Sequence, residues 1–203
     1  ELSISYRVVT SLPALSATQD SDGDGISDSD EGWLDDDQDG QPNYLDVSSQ
    51  SNVLNEVAED GFTFLIETEP GLKMVLGERA LSNDGRGAKV EPETLSGALQ
   101  IPADEVENIS GYFDFVVNDL PVIGQSVNIV IPQRMAIAEN VVYRKFDGVW
   151  FTFVEDANNS LMSAPGEQGA CPPPESDEYR PGLNAGDWCV QLTIEDGGPN
   201  DAD

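Results

Sequence analysis

The residues with the most chemistry in this sequence are carboxylates set at regular intervals. Asp20 to Glu31 reads DSDGDGISDSDE. Acids fall at the first, third, fifth, ninth and twelfth places, with Gly25 at the sixth, which is the D-x-D-x-D-G-x5-E order of a calcium loop. Ca²⁺ takes six to eight oxygens at about 2.3–2.6 Å, and alternate side chains of a tightly curling loop can all point at one centre. Asp20, Asp22 and Asp24 would each give an oxygen. Gly25 permits the turn, and Ile26 offers its backbone carbonyl. Asp28 binds directly or through a water, and Glu31 closes the set as a bidentate ligand. The pattern returns in Asp35 to Asp46, DDDQDGQPNYLD. Here Asp35, Asp37 and Asp39 take the alternate places and Gly40 the turn. Gln41 offers a carbonyl, Asn43 holds the ninth place and Asp46 closes, with a shorter arm than Glu. Asp30 and Asp36 are left to a neighbouring site or to water.

Charge sharpens this reading. The chain has 203 residues, 39 Asp+Glu, 9 Lys+Arg and no His, a net charge of −30. Asp20 to Asp46 alone holds eleven carboxylates in 27 residues, and no Lys or Arg occurs from Val8 to Leu72. Such a block stays disordered by self-repulsion, as a solvated acidic linker, unless a divalent cation gathers it. Two tandem copies, each with a closing acid, favour the cation, about two Ca²⁺ in all. A helix-loop-helix arrangement is disfavoured, because Pro13, Gly32 and Pro42 leave little room for flanking helices. The same charge repels phosphate backbones and anionic lipid, so neither nucleic acid nor a membrane surface is an expected partner. Without His there is no Ser-His-Asp or Cys-His chemistry and no His-ligated zinc. No apolar run approaches the ~20 residues that span a bilayer.

The elements around the loops read as β. Phe62–Ile66, Leu72–Leu76, Tyr112–Val117, Ser126–Ile131, Val141–Phe146, Val149–Val154 and Trp188–Ile194 are expected strands, from alternating apolar and polar residues between Gly, Pro, Asn and Asp. Asp147-Gly148 predicts a two-residue hairpin turn, and Pro121 and Gly124 mark another turn. Ala103–Asn108 predicts a helical turn. The fold class is therefore mainly β, an antiparallel β-sandwich over 53–203, preceded by an extended Asp-rich calcium-loop module over 20–52 with little regular secondary structure. Residues 1–19, with a strand at Ser3–Val9, are assigned to the tail of an upstream domain or to a sheet edge. Trp33, Leu34, Tyr44 and Leu45 either supply the module's local contacts or dock it onto its neighbour.

The Asp20–Asp46 segment resembles a thrombospondin type 3 repeat, on DSDGDGISDSDE and DDDQDGQPNYLD. That family wraps extended Asp-rich chain around calcium ions; the cysteines that staple its vertebrate members are missing here. Roughly Val53 to Asp203 resembles the bacterial choice-of-anchor U domain, on GLKMVLGERALSNDG, GYFDFVVNDLPVIGQSVNIVIP, VVYRKFDGVWFTF and VQLTIEDGGPNDAD. That domain precedes a C-terminal sorting signal. The resemblance therefore implies a fragment of an exported protein, secreted or held at a bacterial cell surface, with no established enzymatic activity. Neighbouring domains of the same longer chain would be its first partners.

In an exported chain, Cys171 and Cys189 are expected to form a disulfide. The alternative is a reactive thiol pair, which their spacing and the nearby acids disfavour. Glu195, Asp196, Asp201 and Asp203 form an acidic ending that is either a third cation site or a solvated loop. The expected function is non-catalytic, with calcium stiffening a stalk-like region that joins domains. An adhesive module is the alternative, binding a surface glycan or protein, with Tyr143, Trp150, Phe151 and Tyr179 as stacking candidates. Abundant carboxylates also permit glycoside hydrolysis, but nothing singles out a pair.

Overall fold

The computed structural model describes residues 10–56, 64–81, 86–97 and 99–202. The expected strand Ser3–Val9 and the first two residues of Phe62–Ile66 lie outside them. The described residues form twelve strands: β1 Val53–Asn55, β2 Leu65–Thr68, β3 Lys73–Leu76, β4 Lys89–Val90, β5 Tyr112–Phe113, β6 Phe115–Asn118, β7 Ser126–Pro132, β8 Arg144–Asp147, β9 Val149–Thr152, β10 Ser160–Ala164, β11 Arg180–Pro181 and β12 Cys189–Glu195. Of three single-turn helices, α1 Asp28–Glu31 precedes the strands, and α2 Glu78–Leu81 and α3 Pro92–Ser96 lie between them. Six strands form one antiparallel sheet in the order β1-β2-β7-β12-β10-β11, and β3-β6, β4-β5 and β8-β9 form two-stranded ribbons.

The two seven-residue strands β7 and β12 set the architecture. Val127, Ile129 and Ile131 of β7 lie opposite Ile194, Leu192 and Val190 of β12, and all six are buried in the main core. Successive side chains of a strand take opposite faces, so one face of the sheet becomes a continuous apolar floor. The ribbons cover it with Met74 and Leu76, Val90, Phe115 and Val117, and Tyr143 and Phe153 at the ends of the β8-β9 ladder. The result is the β-sandwich, with one layer a sheet and the other three ribbons. On the opposite face a smaller core of Val130, Ala164, Tyr179 and Cys189 lies beneath the loop closed by Cys171 and Cys189. That disulfide is formed, with Cα atoms 5.6 Å apart.

Several expectations change. Tyr112–Val117 is two strands, because Asp114 turns the chain from one partner to another. Its amide donates to Ala88 O, Gly77 N donates to its carbonyl, and its carboxylate accepts from Arg79 N and Nη1. Ala103–Asn108 is not helical. Asp104 is held by a bidentate contact from Arg144 Nε and Nη2, both 2.8 Å, and Pro102 O accepts from Trp150 Nε1. Pro102 O, the carbonyl that would accept the first bond of a helical turn, is thereby taken. The strand from Val141 starts only at Arg144, and the hairpin closes around Gly148 alone, at φ 69°, with Asp147 opposite Val149. Trp150 and Phe151, both stacking candidates, are half-buried.

Candidate metal centre

The two Asp-rich loops are folded to the same plan. At the first place, Asp20 Oδ2 accepts from Gly25 N and Asp35 Oδ2 from Gly40 N. The third accepts from the fifth, Asp24 N on Asp22 and Asp39 N on Asp37. The fifth accepts from the seventh, Ile26 N on Asp24 and Gln41 N on Asp39. The ninth-place side chain clasps the second amide: Ser21 N donates to Asp28 Oδ1 at 2.8 Å and Asp36 N to Asn43 Oδ1 at 3.0 Å. The ninth amide returns to the carbonyl before the loop, Asp28 N to Gln19 O and Asn43 N to Leu34 O. Gly25 and Gly40 sit at φ 99° and 101°, a backbone that only Gly adopts freely. A helical turn then starts at the ninth place in both, α1 in the first and a 3₁₀ turn at Asn43–Leu45 in the second. It swings the twelfth residue, Glu31 or Asp46, back toward its cluster.

These hydrogen bonds use one lone pair of each carboxylate oxygen and leave others free. Oxygens of Asp20, Asp22 and Asp24 lie within 4.8 Å of one another, as do those of Asp35, Asp37 and Asp39. Asp22 is 3% exposed and Gln41 is fully buried. Asp22 Oδ2, Glu31 Oε2, Asp37 Oδ2 and Gln41 Oε1 are shut off from water with no hydrogen-bond donor. Loss of water raises Asp22 to about 6, and the charges of Asp24 and Asp20 add to the effect. Burial raises Asp39 to about 6 against the hydrogen bonds from Gln41. It also raises Asp37. Glu31 is raised to about 7 by burial and by the charges of Asp22, Asp24, Asp20 and Asp28. Asp46 is raised to about 7 by burial and by Asp39, Asp37 and Asp22. Each closing acid thus feels its own cluster, and Asp46 feels the other loop too. Groups raised in this way favour the fold while protonated. That contribution is fully present below about pH 4 and is lost progressively as pH rises from there through 6 to 7. In both loops the arrangement can hold a metal ion.

The remaining places resolve individually. The Ile26 side chain is half exposed, which suits a backbone role. Asp28 is 4% exposed with both oxygens engaged by Ser21 N and Oγ, which suits binding through water. Gln41 adds something the sequence did not single out, its side-chain amide, whose Nε2 donates to Asp39 Oδ2 at 3.0 Å. Asp30 and Asp36 are exposed. At the chain end, Asp196 accepts from Gly124 N and Asp201 from Gly197 N, and neither joins a three-acid cluster among the described residues.

The second loop is fastened to the sandwich. Leu76 N donates to Asp39 O at 2.8 Å, Asn55 Nδ2 to Leu45 O at 2.8 Å and Met74 N to Ser51 O at 2.7 Å. A Cβ on Gly40 would touch Leu81 and Leu76 at 3.4–3.5 Å. Trp33 and Tyr44 meet edge to face at 4.8 Å and tie the two loops together, and Leu45 is buried. Leu34 does neither task and is 70% exposed.

Comparison of the chain with protein-family models, curated proteins and solved structures finds no match. No helix among the described residues is long and apolar enough to cross a membrane.

Proposed function

We propose that residues 20–46 bind two calcium ions and that this part of the chain is a non-catalytic, calcium-stiffened module of an exported bacterial protein, secreted or displayed at the cell surface. The observation that carries the reading is the set of buried anionic oxygens without donors, Asp22 Oδ2 and Glu31 Oε2 in one loop and Asp37 Oδ2 in the other. A buried carboxylate oxygen with no donor is costly. A hard divalent cation is the partner that satisfies several at once, and an all-oxygen donor set with flexible geometry suits Ca²⁺ better than Mg²⁺. Millimolar calcium outside cells suffices, since extracellular modules bind at about 10⁻⁴–10⁻³ M.

Export is supported by the Cys171–Cys189 disulfide, which persists in oxidising compartments, and by the resemblance to thrombospondin type 3 and choice-of-anchor U sequences. Because Asp39 O is bonded to Leu76 N at the end of β3, an ion in the second loop stiffens the join between loops and sheet. Glycan adhesion has less support. Tyr179 is 5% exposed with its hydroxyl on Pro172 O, and Trp150 is half-buried between Tyr112 and Phe146.

Titration calorimetry on the whole chain tests this. Two ions bind, and Asp22→Ala and Asp37→Ala each remove one. Binding at pH 6 releases protons that binding at pH 8 does not, because Asp22, Asp39, Asp46 and Glu31 must ionise, so affinity rises across that interval. An ion count unchanged in both variants would overturn the ligand assignment.

A further inference from the structure

We propose that the cavity between the six-stranded sheet and its covering ribbons is a binding site for a small organic acid, its carboxylate held by Lys145 and Tyr143 and its apolar body lying on the sheet. The inference is independent of the calcium reading. The space measures about 420 Å³, within the ~300–1,000 Å³ of small-molecule sites. Its floor includes Val127, Ile129, Leu192 and Ile194 of the two central strands.

The polar groups of the wall decide the ligand class. Tyr143 and Lys145 are two residues apart in one extended stretch. Phe153 N donates to Tyr143 O, and Lys145 pairs with Phe151, so their side chains leave the same face. Neither Tyr143 Oη nor Lys145 Nζ has a hydrogen-bond or ion-pair partner among the described residues. Arg79, Lys89, Arg134, Arg144 and Arg180 each hold an acid within 3.2 Å. Lys145 holds none, although Asp201 and Asp114 favour its charge from further away. Burial lowers the Lys145 pKa and raises that of Tyr143, and both residues are half-buried.

Neighbouring polar groups on the wall are already used. Arg144 is taken by Asp104 and Thr152, Arg79 by Asp114, Trp150 Nε1 by Pro102 O, and Asn200 by Val154 and Asn159. Two donors, one of them cationic, thus remain beside the apolar floor, in a wall that also carries Glu78, Glu107, Asp196 and Asp201. A monocarboxylate satisfies both and covers the apolar floor. A neutral ligand would leave the ammonium unpaired, and a multiply charged one would meet the wall's carboxylates and the field of a −30 chain with only Lys145 to offset them among the cavity's described cations.

The test uses the full chain in calcium buffer with 4-phenylbutyrate and its neutral counterpart 4-phenylbutanol. Calorimetry reads affinity, and NMR of the Ile129 and Leu192 methyl groups reads location. The acid is expected to bind at least about tenfold more tightly than the alcohol while shifting both methyls. Lys145→Met should erase that preference, and Tyr143→Phe should weaken the acid alone. Equal binding of acid and alcohol by the unmodified chain overturns the proposal whatever the variants do. Binding of neither ligand at about 10 mM, or binding without methyl shifts, also overturns it.

Discussion

Chelating calcium at pH 8 is expected to expose the chain between Gln19 and Ser51 to proteases before any other described segment, leaving a resistant β fragment. The cause is electrostatic. Eleven carboxylates in 27 residues repel one another, and above pH 7 even the raised groups Glu31 and Asp46 are ionised. Ligand linkage sets the scale: at calcium one hundred times its dissociation constant, each site adds about 2.7 kcal/mol to the folded form. The second loop rests on Leu76 and Asn55 through Asp39 O and Leu45 O, so opening it also bares buried Leu45. The measurement is limited proteolysis with and without chelator, with fragments identified by mass. Acidification toward pH 5 should restore part of the resistance without calcium, since protonation removes the repulsion. Equal cutting in both conditions would mean that the ion has no structural role.

Removing the disulfide is the second large effect. Cys171→Ala with Cys189→Ala should lower unfolding free energy by about 3 kcal/mol, from closing a loop of this length in the chain-entropy model. The bridge pins a proline-rich loop across the outer face of the sheet. There Tyr179 is buried with its hydroxyl on Pro172 O, over Val130 and Ala164. Since β12 is the sheet's central ladder partner to β7, the loss registers in the cooperative transition rather than in a frayed end. Urea denaturation of the double variant in calcium buffer measures it. An unchanged midpoint would show that the loop packs equally well without the bond.

Some features were legible in the sequence because they depend on local order. The Asp spacing, the glycines at the sixth place and the closing acids determine how each loop curls, and the two loops fold alike for that reason. Strands β7 and β12 were legible because alternation over seven residues is a strong signal. Ser160–Ala164 was missed: only Leu161 marks its inner face beside Ser163, whose hydroxyl is taken by Asp187 and Asn184. The break at Asp114 depends on Ala88, Gly77 and Arg79, which local pattern cannot reveal. The docking of Asp39 on Leu76 is likewise a tertiary fact.

The central claim, that oxygens of Asp22, Glu31, Asp37 and Asp46 converge on calcium, is tested most directly by a crystal structure grown in millimolar calcium, with the ions identified by anomalous scattering. Two calcium ions are predicted, one per loop, each with six to eight oxygens at about 2.3–2.6 Å and with Asp22 Oδ2 and Asp37 Oδ2 among them. Loops that keep their present hydrogen bonds and show only water beside those two oxygens would contradict the account.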